Sequence, residues 1–208
     1  EQIIAAPLTQ GGALKDIPMA QTLRESEFYF PMNSANSFAL ANLLTEHRKN
    51  YDGERKHKNA ALSRVQLPAY KKLKGMMHGF VDLLFCYQNK YYVCDYKSSH
   101  LGDRFEDYSQ SNLIENIEKN YYDLQYLIYS LALHRYLRNA LPDYEPSKHL
   151  GGVYYLYLRG MTDEAQYPYS GVFYRKINVD ELEDLDSLFA GNINENNDLA
   201  LTGGTYDG

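Results

Sequence analysis

Two short apolar runs, Gly79-Phe80-Val81-Asp82-Leu83-Leu84-Phe85 and Tyr92-Val93-Cys94-Asp95-Tyr96-Lys97-Ser98, flank a polar gap. Their β-branched and aromatic content makes both of them strands and the gap a hairpin turn. Each run carries a carboxylate near its middle. A strand of this kind has no structural use for that charge. Burying an unpaired carboxylate is costly or forces it to protonate. Two such residues on adjacent strands point to a cation held between them.

The register follows from the turn. With the turn at Gln88-Asn89, Tyr87 pairs with Lys90, paired numbers sum to 177, and Asp82 lies opposite Asp95. A four-residue loop gives the same register. A three-residue loop would put Tyr96 opposite Asp82. Opposed residues share a face, with Cβ atoms about 4.5–5.5 Å apart, close enough for two carboxylates to hold one hard cation. Lys97, two residues beyond Asp95, points to the same face. Its ammonium would stand beside the cation, where a phosphate or an attacking water lies. The plainer reading makes Lys97 a salt-bridge partner of either aspartate, which leaves it in the same place.

The order Asp82, then Asp95-Tyr96-Lys97, resembles the PD-(D/E)XK nuclease superfamily. The wording Gly79-Phe80-Val81-Asp82-Leu83 with Asp95-Tyr96-Lys97-Ser98 is similar to the RecB-type nuclease family, and Gln125-Tyr126-Leu127-Ile128-Tyr129 matches that family's Gln-x-x-x-Tyr. The similarity extends through residues 122–137 and 151–160, and covers about residues 27–191. It implies an α/β, restriction-endonuclease-like fold, a central mixed sheet flanked by helices. It implies an exodeoxyribonuclease V-type activity, metal-dependent phosphodiester hydrolysis on single- and double-stranded DNA within a helicase-nuclease for double-strand-break repair and recombination. Asp82, Asp95 and Lys97 would be catalytic. Asp82, Asp95 and the Tyr96 backbone carbonyl would hold Mg²⁺, or Mn²⁺ or Ca²⁺ in its place. Lys97 would orient or deprotonate water, or neutralise developing charge. Gln125 and Tyr129 would bind DNA or support the site. Implied partners are RecC-like and RecD-like subunits and the RecA recombinase, in the cytoplasm.

One departure stands out. The family carries an upstream metal-binding histidine in a Gly-Thr-x-x-His helix. His47, His57, His78, His100, His134 and His149 are all in other contexts. The chain begins Glu1-Gln2-Ile3-Ile4 without an initiator Met, and reads as a fragment that starts after that helix. His78 has a phosphate or metal role as its sharper reading and a surface position as its plainer one. His134 is expected on the polar face of a long helix. The rival to a nuclease is a non-catalytic docking module for partner subunits or a recombinase, favoured by the acidic residues from Asp180 onward.

A length of 208 residues suits one domain with a sizeable core. Residues 1–24 read as a connecting segment or a loosely docked helix, 25–190 as the nuclease domain and 191–208 as a flexible tail. No apolar run reaches 18 residues, so no transmembrane helix is expected and no membrane partner. Cys86 lies on the Asp82 face and Cys94 on the face opposite Asp95. They are poorly placed to bridge, and reduced cysteines fit the cytoplasm. Net charge is −6, yet residues 48–74 hold nine basic residues (Arg48, Lys49, Arg55, Lys56, Lys58, Arg64, Lys71, Lys72, Lys74) against Asp52 and Glu54. That stretch either tracks a phosphate backbone or is a solvated loop. Gly-x-x-x-x-Gly-Lys-Ser/Thr is absent, so ATP is not expected to bind these residues.

The remaining pattern predicts a strand over 25–31 closed by Pro31, and a helix over 36–48. Residues 50–60 and 98–112 read as loops, the second over the site. A single long helix is expected over 118–139, strands over 153–158 and 172–177, and a helix over 180–189 capped by Asp180.

Overall fold

A computed structural model of the protein describes residues 2–50, 65–68 and 73–191. Five strands form one mixed sheet in the order β1-β2-β3-β4-β5. They are β1 (Thr22–Ala35), β2 (Leu73–Tyr87), β3 (Lys90–Lys97), β4 (Leu150–Tyr157) and β5 (Val172–Arg175). Only the β3–β4 pair is parallel. A parallel pair needs a long crossover, and helices α3 (Gln110–Lys119), α4 (Tyr122–Ala140) and α5 (Pro146–His149) lie within it. This is the α/β architecture of a mixed sheet flanked by helices that the resemblance implied.

Helix α1 spans Gln2–Ala5, and α2 spans Ser37–Lys49, with Asn36 as N-cap accepting the Ala39 N–H at 2.6 Å. Helix α6 spans Val179–Ala190 and is capped by Asn178, not by Asp180, which sits in its first turn. The helices α2, α3, α4 and α6 contribute Leu44, Leu113, Leu127, Leu131 and Leu185 to the larger core, against Val93, Val153, Tyr155 and Phe173 of the sheet. On the other face Ala6, Leu8 and Ile17 pack on Phe85, Tyr92, Cys94 and Tyr154. The N-terminal segment therefore covers a sheet face, because the central strands are apolar on both sides and β4 is buried throughout. Among the described residues no helix is long and apolar enough to cross a membrane.

Several boundaries differ from expectation. Pro31 does not close the first strand, which runs on to Ala35. β1 is a sheet edge, where a proline whose nitrogen faces away from the neighbouring strand costs no ladder bond. The single long helix is two helices, broken where Tyr121 adopts a left-handed φ of 54°. Its N-terminal piece, α3, takes up residues 110–112 of the expected loop. The expected loop over 50–60 lies outside the described residues apart from Asn50, and the 191–208 tail apart from Gly191.

Candidate active site

The hairpin turn is the two-residue one. Gln88 and Asn89 have φ of 50° and 61°, the signs of a type I′ turn, whose twist matches that of the strands. Tyr87 faces Lys90, and the register holds as far as Leu83↔Cys94. Beyond that pair the strands part. β2 continues along β1, while β3 continues along β4 through Tyr96↔Leu156 and Lys97↔Tyr157. The acidic residues sit in this fork.

Asp82 is therefore not paired with Asp95 across a ladder. Val81 belongs to the helix-side core and Leu83 to the opposite one. Residues two apart on a regular strand share a face, so β2 changes face at Asp82. On β1, the pairs Arg24↔Leu83 and Ser26↔Val81 flank Glu25, whose φ is 49°. This irregularity frees the Asp82 carboxylate to reach sideways. Its Oδ2 accepts the Tyr96 N–H at 2.9 Å. The charge of Asp82 still acts on the Asp95 carboxyl, so the two aspartates are neighbours although the β2–β3 ladder has ended at Leu83↔Cys94.

Asp95 and Lys97 are buried, with Lys97 Nζ 2.7 Å from Asp95 Oδ2. The same ammonium donates to Gln125 Oε1 at 2.8 Å, and Gln125 Nε2 donates to the Tyr129 hydroxyl at 2.9 Å. Gln125 and Tyr129 lie one turn apart on α4, so both reach the same spot. The Tyr155 hydroxyl lies 2.8 Å from the Tyr122 carbonyl and 2.9 Å from Gln125 Oε1. The amide orientation is fixed by this company, since turning it over would set an NH₂ group against the ammonium.

Burial raises the Asp95 carboxyl above the usual range; the hydrogen bond and charge of Lys97 pull it back, and the Asp82 charge adds to the rise. Desolvation thus outweighs the ion pair. The Tyr129 phenol is also raised, first by burial and then by the charge of Asp95, with Asp82 adding less. Both carboxylates therefore act on one small volume. Among the described residues no group of three or more His, Cys, Asp or Glu gathers to hold a metal. The donors at the fork are nonetheless all oxygen, with negative charge offset only in part, which suits a hard divalent cation that keeps several waters.

The other sequence candidates fall elsewhere. His78 is half-exposed and bonds Glu27 at 2.8 Å. His134, expected on a polar face, is buried, with Nδ1 2.9 Å from the Tyr144 hydroxyl. Arg48, counted in the basic stretch, is buried against Asp123; Lys49 pairs with Glu46 and Lys74 is exposed. Arg55, Lys56, Lys58, Arg64, Lys71 and Lys72 lie outside the described residues. Cys86 and Cys94 are both free thiols. Sequence reasoning did not single out Tyr122 or Tyr155. The one signal for Tyr155 is the parallel register that sets it beside Asp95, and a parallel register cannot be counted from a turn.

No protein-family model matches the chain. It is 36% identical over 195 residues to RecBCD enzyme subunit RecB of Haemophilus influenzae, covering 91% of this chain and 14% of that relative. The Escherichia coli subunit of the same name is 35% identical over 191 residues, covering 91% of this chain and 15% of the relative. The Mycobacterium tuberculosis H37Rv subunit is 44% identical over 94 residues, 45% of this chain and 9% of the relative. The chain thus spans a small part of the length of the relatives it matches.

Proposed function

Because the chain belongs to the RecB family, homologous over 91% of its length to a segment of RecBCD enzyme subunit RecB, we propose that it is a DNA-hydrolysing module. Its setting is a helicase-nuclease that processes DNA ends in repair and recombination, in the cytoplasm. Its partners are the RecC-like and RecD-like subunits of that assembly and, when recombination follows, the RecA recombinase.

The observation that carries this reading is the fork. Where β2 leaves β3, Lys97 Nζ lies 2.7 Å from Asp95 Oδ2, and Asp82 accepts the N–H of Tyr96, the residue between them. Asp82, Asp95 and the Tyr96 carbonyl would hold the cation, Mg²⁺ or Mn²⁺ or Ca²⁺ in its place. When bound, such an ion polarises a phosphate oxygen and acidifies a water. The chain's own residues supply the rest. Asp95 fixes the direction of the Lys97 ammonium. Lys97 offers a donor and a positive charge where the scissile phosphate gains negative charge. Gln125 and Tyr129 hold that lysine from the helix side, which supports a site role for both.

The test is a calorimetric titration with Mn²⁺ beside a nuclease assay on a labelled linear duplex and a single strand. The full-length wild-type subunit should bind the ion and cut both substrates. Asp82→Ala and Asp95→Ala should lose binding and cutting together. Ion binding that survives both substitutions would remove the fork as the site and favour a docking module.

A further inference from the structure

Lys97 is enclosed more completely than its two hydrogen bonds require. Its Nζ stands 3.8 Å from the centre of the Tyr122 ring and 4.4 Å from that of Tyr155. The two rings meet edge to face, with centroids 5.9 Å apart and an interplanar angle of 86°. They form two walls of a corner. Asp95 Oδ2 and Gln125 Oε1 close two more sides. An aromatic face is the negative side of the ring quadrupole and attracts a cation within about 6 Å.

We infer that Tyr122 and Tyr155 are positioning residues for Lys97, an aromatic corner that fixes where its ammonium points. The inference rests on the nuclease reading only for what Lys97 does next; the corner itself is a matter of geometry. A lysine side chain has four rotatable carbons and an ammonium that rotates freely. Carboxylate and amide contacts alone leave the stem able to swing. The corner removes that freedom from two directions.

The hydrogen bonds around Tyr155 couple the corner to the rest of the site. Its hydroxyl lies within bonding distance of the first residue of α4, through the Tyr122 carbonyl, and of Gln125 Oε1. The single hydroxyl proton serves one of these acceptors at a time. Tyr155 is fully buried and sits beside Asp95 in the parallel β3–β4 register. Tyr122 is half-buried and opens α4. One strand and one helix terminus thus approach the lysine from independent elements, the arrangement that makes a site geometry stiff.

Tyr122 is the residue to change, because it is only half-buried and a leucine there suits the helix. Tyr122→Leu should lower kcat roughly three- to tenfold with KM for DNA little changed, from the range of cation–π strengths and the rate equivalent of each. Tyr122→Phe keeps the ring and should recover most of that rate. Tyr155→Phe keeps the ring but loses the hydroxyl, and should fall between the two. A second measurement needs no nuclease activity: the rate of Lys97 reductive methylation, read by mass spectrometry. It should rise in Tyr122→Leu and stay near wild type in Tyr122→Phe. Equal kcat losses and equal labelling in the Phe and Leu variants would overturn the corner. If labelling responds as expected while the full-length wild-type subunit cuts no DNA, the corner stands and the nuclease reading falls.

Discussion

Replacing Asp123 by alanine should destabilise the protein by about 3–5 kcal/mol, the cost of stranding one member of a buried ion pair. Arg48 Nε lies 2.5 Å from Asp123 Oδ2, and Arg48 Nη2 lies 3.2 Å from Oδ1. Nη2 also donates to the Glu118 carbonyl at 2.9 Å. Arg48 is 5% and Asp123 1% exposed, so solvent cannot take over either charge. The pair joins the end of α2 to the first turn of α4, the turn from which Tyr122 and Gln125 project. Asp123 also places a negative charge at a helix N-terminus, worth about 0.3–1 kcal/mol more. For a domain of this size each kcal/mol shifts the midpoint by about 2–4 °C, so Tm should drop by roughly 6–20 °C. Urea denaturation with an unchanged m-value is the assay. The double variant Arg48→Met/Asp123→Leu should recover at least half of the loss, since replacing a buried pair by apolar groups of similar volume is often close to neutral. A single-variant loss under about 1 kcal/mol, or a double variant worse than either single one, would refute the reasoning. It would also return Arg48 to the set of candidate phosphate contacts.

Stability should fall as pH drops below about 6.5, because burial lowers both His47 and His134 and the unfolded chain then binds the protons that the folded one refuses. His47 Nε2 lies 2.6 Å from the Tyr126 hydroxyl, and Nδ1 lies 3.0 Å from Glu181 Oε1, a contact in which the neutral ring donates its Nδ1–H to the carboxylate. His47→Gln should flatten the unfolding free energy between pH 7.5 and 5.5, and an unchanged slope would show that other groups set it. In the whole assembly, Asp95→Ala should abolish DNA cleavage and leave ATP hydrolysis intact; loss of both in coupled assays would make the residue structural. Gly152→Ala should cost about 2 kcal/mol or more in urea denaturation, because Gly152 has a φ of +122° and an added Cβ would stand 2.5 Å from the Arg175 carbonyl oxygen. A neutral result would mean that β5 can move aside.

The candidate site was legible in the sequence where chemistry contradicts its surroundings. Asp82 and Asp95 stand out because a strand of Leu, Phe and Val has no other use for them. The hairpin register was countable from the Gln88-Asn89 turn because a two-residue turn fixes every pair up to the point where the strands part. The buried strand β4 was visible in the apolar run of residues 153–158. Gln125 and Tyr129 were legible as one helix face, because helical spacing is local.

The rest depends on contacts that no local pattern encodes. Asp82 reaches the site through a change of face at Glu25 and Asp82, a distortion shared by two strands far apart in the chain. The break between α3 and α4 turns on the left-handed Tyr121, a residue type with no preference for that conformation. Arg48 and His134 look like surface residues by type, and burial became affordable only because Asp123 and Tyr144 arrive from elsewhere to bond them. The aromatic corner around Lys97 exists because a parallel register brings Tyr155 beside Asp95 while a helix terminus brings Tyr122 from the other side. A turn fixes an antiparallel register by counting; a parallel register is set by the packing of the crossover, and only the folded chain contains that information.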